Sequence, residues 1–165
     1  EKHINGLKER YSDAPEMAFW AMFSYRNPLT IPLEAQDMAA SDESIAIYVL
    51  SRNSGEGSDR RNVPGDYQIH EEENLLRTLC GYYKHVIVVL NVGGVMDTSF
   101  LRTQSGIDAV LLMGQAGNSG GDALADVLSG KVAPSGHLTT TWAEQYEDYP
   151  SAEIGMMNII LKIYT

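Results

Sequence analysis

The chain has 165 residues, 44% of them apolar, with 22 acidic against 12 basic side chains and a formal net charge of −10. That length and apolar content suit one domain with a hydrophobic core and exclude a disordered chain. The acidic balance, with basic residues scattered apart from Arg60 and Arg61, opposes a phosphate-tracking nucleic-acid surface and gives no attraction to an anionic membrane.

In chain order, "EKHINGLKER" carries no signal-peptide pattern, and a start without Met suggests a fragment or a processed product. Ile4, Leu7 and Tyr11 at helical spacing predict a short amphipathic helix over 3–11. Residues 12–41, with "MAFWAMFSY" and "LEAQDMAAS", read as helical pieces broken by Pro15, Pro28 and Pro32, so 1–44 is a helical or irregular lead-in. "IAIYVL" is then a strand over 45–50, and "SRNSGEGSDRR" (51–61), without an aliphatic or aromatic side chain, is a solvent-facing loop at its end. "HEEENLLRTLCGYY" follows as a helix with Leu75, Leu76, Leu79 and Tyr83 on one face. Glu71, Glu72 and Glu73 in its first turn read as water-facing acids favoured by the helix dipole. Cys80, the single cysteine, excludes an intrachain disulfide and reads as a small buried hydrophobe.

"HVIVVLN" (85–91) is the near-continuous apolar run of a strand covered on both faces, and "VIVVLNVGGVM" is too short and interrupted to span a bilayer. "IDAVLLM" (107–113) is the next strand, and "GQAGNSGG" leads into a helix with Ala123, Leu124, Val127 and Leu128 on one face. "HLTTTW" (137–142) is expected as a last, more polar edge strand. The alternation predicts an α/β fold: a three-layer sandwich with a mostly parallel doubly wound sheet and helices on both faces. The functional crevice of such a sheet lies beyond the carboxyl ends of its strands, so the loops beginning at Ser51, Asn91 and Gly114 should share one rim.

The glycine-rich turn lacks the G-x-G-x-x-G and P-loop patterns and has no lysine near it, which leaves it a tight packing turn. Ser54 and Ser119 are not in a G-x-S-x-G elbow, and His3, His70, His85 and His137 fit no nucleophile order. No metal-ligand spacing and no cofactor motif occurs, so neither a metal nor a cofactor is expected. Glu56 remains, between Gly55 and Gly57, with Arg52, Asp59, Arg60 and Arg61 around it. On the residues alone it is either a general acid/base or a member of an ordinary loop ion pair.

"SRNSGEGSDR", "GDYQI", "VVLNVGGVMD", "IDAVLLMGQAGNSGGDALADVLSGKVAPSGHL" and "YEDYPSAE" occur in that order from about Ile45 to Glu153. Together they resemble the C-terminal α/β sandwich domain of glycoside hydrolase family 3, the β-glucosidase-like enzymes. The resemblance implies a retaining glycosidase in which a separate (β/α)-barrel supplies an aspartate nucleophile and this domain lends a loop carrying the acid/base glutamate, which falls on Glu56. It implies that Arg52, Asp59 and Arg60 fix that loop and line the outer edge of the sugar site, with plain loop salt bridges as the other reading, and that Gln115 supports the rim. The implied ligand is a β-linked glucoside or oligosaccharide. A retaining mechanism needs one carboxyl that is first protonated and then ionised, which suits a glutamate on a glycine hinge.

His137 stands where the family usually has lysine, 154–165 is an atypical tail, and the barrel is missing from the chain. The organisation expected is one α/β domain over 1–165 with family-like blocks over 45–153. The chain alone is then expected not to hydrolyse glycosides. Apolar residues such as Trp20, Phe23 and Val63, left bare where the barrel would sit, favour a homodimer. A non-catalytic carbohydrate-binding or scaffold module of flavodoxin-like architecture is the alternative. Sugar specificity and compartment stay open.

Overall fold

The computed structural model describes residues 17–21, 24–25, 27–28, 45–53 and 60–152. Four parallel strands form the sheet in the spatial order β1 (Met17–Ala21), β4 (Ile45–Arg52), β5 (His85–Val92), β6 (Ile107–Leu112). Between β1 and β4 in sequence, β2 (Ser24–Tyr25) and β3 (Asn27–Pro28) make a small antiparallel pair. The helices are α1 (Glu72–Tyr82), α2 (Ser99–Thr103) and α3 (Gly120–Leu128), and a 3₁₀ turn covers Tyr146–Asp148.

The period-2 pleat sorts the strand residues onto two faces. Ala46, Tyr48 and Leu50 of β4 with Val86, Val88, Leu90 and Val92 of β5 pack against Leu76 and Leu79 of α1 and Phe100 and Leu101 of α2. Their alternates Ile47, Val49 and Val89 pack against Leu124 and Ala125 of α3. β4 therefore sits between two covered faces, and every one of its residues after Ile45 is buried. Each fully buried Leu or Val contributes about 1.5–3 kcal/mol over exposure, which makes these two faces the main source of stability.

Two expectations change. "MAFWA" is no helical piece but a strand, pairing in parallel with Ile45–Val49; Phe19 and Trp20 favour a pleated surface, and an open edge of β4 overrides the helix preference of Met and Ala. Residues 137–142 are not a strand, because their threonines have no described ladder partner and β propensity needs a partner to act. That segment instead runs beside β6 and lines a groove of 720 Å³ with Val110 and Leu112, while Trp142 packs against the core. β6 is the exposed edge among the described residues, with Val110 46% and Leu112 40% exposed. The expected helix over 3–11 and the tail over 154–165 lie outside the described residues.

The β5–β6 register shifts between Val86 and Ile87, leaving Asp108 out of the pairing. Its carboxylate accepts the Val86 N–H at 2.9 Å and stands 3.4 Å from His85 Nδ1. A bulge residue thus closes the amino end of the sheet and leaves the opposite edge to the loops.

A candidate active-site rim at the carboxyl ends of the strands

β4 ends on a charged side chain that points inward. Arg52 is 6% exposed, and its Nη1 lies 2.7 Å from Oε1 of Glu72, which is fully buried at the start of α1. The guanidinium also donates through Nε to the Asp66 carbonyl at 2.9 Å, through Nη1 to the Ser51 carbonyl at 3.0 Å and through Nη2 to the Gln68 carbonyl at 3.3 Å. The other Glu72 oxygen accepts the His70 N–H at 2.9 Å. One planar cation therefore ties three segments together: the end of β4, the 66–68 turn and the first turn of α1. Glu72 is thus not the water-facing acid expected from its place among Glu71, Glu72 and Glu73. It sits four and seven residues before Leu76 and Leu79, on the apolar face of α1, and that spacing is the signal that sets it apart from its neighbours.

The next two loops meet this one through missing side chains. A Cβ built on Gly94 would come within 2.8 Å of Arg60 Nη2, and one on Gly93 within 2.7 Å of Gln115 Nε2. Glycine at both positions admits the guanidinium from the first loop and the carboxamide from the third against the turn after β5. Asn91 Nδ2 donates to Ser51 Oγ at 3.3 Å across the same edge. The loops after β4, β5 and β6 share one rim, as the topology predicts.

Three tyrosines close the rim on the outer side. Tyr67 is buried, with Tyr146 edge-on at 5.1 Å and Tyr149 at 6.5 Å between ring centroids. Burial, then a hydrogen bond with Tyr149, pushes the Tyr67 phenol above its ordinary range. The Tyr149 hydroxyl accepts the Ala143 N–H at 2.9 Å, fixing the 3₁₀ turn against the domain. Nothing in the sequence assigned these rings a role, although "GDYQI" and "YEDYP" both mark them.

Of the expected site residues, Arg52 lies in the interior beneath the rim and Arg60 lies on it, in a cleft with Gly93 and Gly94. Glu56 and Asp59 lie outside the described residues. Among the described residues no cluster of three or more His, Cys, Asp or Glu side chains could hold a metal ion. Cys80 is partly buried, and burial, followed by Asp108, pushes its thiol up.

Residues 2–159 match the Glycosyl hydrolase family 3 C-terminal domain. The chain belongs to this family. It is 37% identical over 138 residues to Beta-glucosidase A of Butyrivibrio fibrisolvens, covering 70% of this chain and 17% of that protein. It is 35% identical over 130 residues to Beta-xylosidase/alpha-L-arabinofuranosidase 1 of Medicago sativa subsp. varia, covering 74% of this chain and 16% of that protein. The solved structure of beta-glucosidase 3B from Thermotoga neapolitana in complex with glycerol superposes with a TM-score of 0.67 at 32% identity, over 93% of this chain and 21% of that one. The family 3 domain therefore spans only a small part of the length of these relatives. Its fold is the α/β sandwich read from the alternation of strands and helices.

Proposed function

We propose that this chain is the C-terminal domain of a retaining β-glucosidase-like glycoside hydrolase and that Glu56 is its acid/base residue. The substrate is a β-linked glucoside or oligosaccharide, held where this domain meets a barrel that supplies an aspartate nucleophile. In the first step protonated Glu56 gives its proton to the glycosidic oxygen while the nucleophile attacks the anomeric carbon, and the aglycone leaves as an alcohol. In the second step the Glu56 carboxylate takes a proton from water as that water displaces the nucleophile, and the sugar leaves with its configuration retained.

The observation that carries this reading is the placement of the two shoulders of the 54–59 segment. Arg52 anchors one in the interior by a buried ion pair, and Arg60 lies against Gly94 at the carboxyl edge of the sheet. Both flanking residues thus sit at the carboxyl ends of the strands, where the crevice of a parallel sheet lies. Arg52 serves here as a positioning residue, Asp59 as an ion-pair partner for a neighbouring arginine, and Arg60 as a rim contact to sugar.

Leaving-group dependence tests the proposal. In the full-length protein, Glu56→Ala should slow hydrolysis of glucosides with poor leaving groups by about 10²–10⁴-fold, the usual worth of general acid catalysis, and slow activated aryl glucosides much less. Equal kinetics for variant and parent across the series would return Glu56 to a loop ion pair and favour the non-catalytic carbohydrate-binding or scaffold module.

A further inference from the structure

We propose that the groove beside β6 is a binding site for a small aliphatic carboxylate. Its volume of 720 Å³ lies within the roughly 300–1,000 Å³ span of small-ligand sites. No residue of the 45–61 stretch lines it, so the inference stands apart from the catalytic reading.

The apolar part of the lining sets the body of the ligand. Leu90 and Leu101, both buried in the core, line the groove from beneath. Val110 and Leu112 line it from β6, and Leu138 and Trp142 from the segment that runs alongside. Five of these six side chains are aliphatic, and the groove is open along its length, which suits a flexible saturated chain better than a rigid stacked ring.

The polar part selects the head group. Thr98 and the run Thr139–Thr141 bring hydroxyls, and Arg102 is the one charged side chain in the lining. No carboxylate lines the groove, although the chain carries 22 acidic residues. Arg52, Arg61 and Arg77 each pair with a carboxylate, whereas the exposed Arg102 has no ion-pair partner among the described residues. An unpaired guanidinium beside an apolar channel is complementary to an amphiphilic anion. Its planar fork takes both oxygens of a carboxylate, and threonine hydroxyls donate to the remaining lone pairs. A neutral chain leaves the fork without an acceptor, and a cationic one meets like charge. The net charge of −10 opposes anions in general, so retention of one at this groove has to come from the local pairing.

Calorimetric titration of the 165-residue chain at pH 7, at a concentration where light scattering shows a monomer, tests the site with decanoate, decanol and decyltrimethylammonium. Decanoate should bind one to a chain and about tenfold tighter than decanol, the fold-change expected of a charge-assisted pair, and the cation should bind weakest. Arg102→Gln should bring decanoate down to the affinity of decanol and leave decanol unchanged. Leu138→Asp sets a carboxylate at an exposed wall position and should weaken decanoate by about the same factor. Both changes are at exposed positions, so each variant should keep the parental melting temperature. Decanoate binding no tighter than decanol, or an Arg102→Gln that binds decanoate as the parent does, would overturn the site. Absence of decanoate binding to the monomer would overturn it too and leave the groove to a second copy of the chain.

Discussion

Removing either Arg52 or Glu72 leaves an opposite charge at a site with almost no solvent, 2.7 Å from where its partner was. Losing one member of a buried pair costs about 3–5 kcal/mol, so Arg52→Ala and Glu72→Ala should each destabilise the fold by that order, read as a lower urea midpoint. The double variant should lose less than the sum of the two, since the stranded charge is then gone. A second residue-scale effect concerns pH. Burial pushes the Tyr48 phenol up, with Glu72 adding and Arg52 opposing, and Tyr67 is pushed up in the same direction. A folded-state value above the unfolded tyrosine value of about 10 means full stability below that pH and a progressive loss above it, because the folded state holds protons that the unfolded chain gives up. Unfolding by urea from about pH 9 to 11 should show this decline, and Tyr48→Phe should flatten it. At this scale the sequence was only partly legible: Arg52 could be named from its motif, whereas Glu72 was masked by identical neighbours and needed the helical spacing to Leu76 and Leu79 to separate it.

Among elements, the turn after β5 is the place where a single methyl group should affect chemistry more than stability. A Cβ at Gly94 meets the far end of Arg60, and one at Gly93 meets the far end of Gln115. Both are tips of flexible side chains that can swing aside, so Gly94→Ala should change stability by less than about 1 kcal/mol while displacing Arg60 and lowering activity of the full-length protein. Gly106→Ala should behave oppositely, since φ is +94° there and the new methyl would lie 2.9 Å from Cys80 Cβ; its cost should appear in the melting temperature. β4, β5, α1 and α3 were legible because hydrophobic period and β-branched runs agree there. Residues 17–21 and 137–142 were read the wrong way round for one reason: whether a short mixed segment becomes a strand depends on an open edge beside it. β4 offers that edge to Met17–Ala21, and nothing described pairs Leu138–Trp142.

For the whole molecule, the proposed function predicts a domain inert alone, since a retaining reaction needs two carboxylates facing one anomeric carbon and that proposal assigns the second to a separate barrel. The domain is also expected to self-associate. Val110, Leu112 and Leu138 are 46%, 40% and 57% exposed around the β6 edge, and Val63 is 38% exposed on the rim side. Light scattering of the 165-residue chain should show a dimer that Val110→Lys suppresses, despite the net charge of −10. The central claim, that Glu56 is the acid/base of a shared active site, is tested most directly by chemical rescue of Glu56→Ala in the full-length protein. With an activated aryl β-glucoside and added azide, turnover should recover and the product should be the β-glycosyl azide, formed when azide attacks the glycosyl-enzyme without a general base. Recovery absent, with the variant hydrolysing at the parental rate, would contradict the claim.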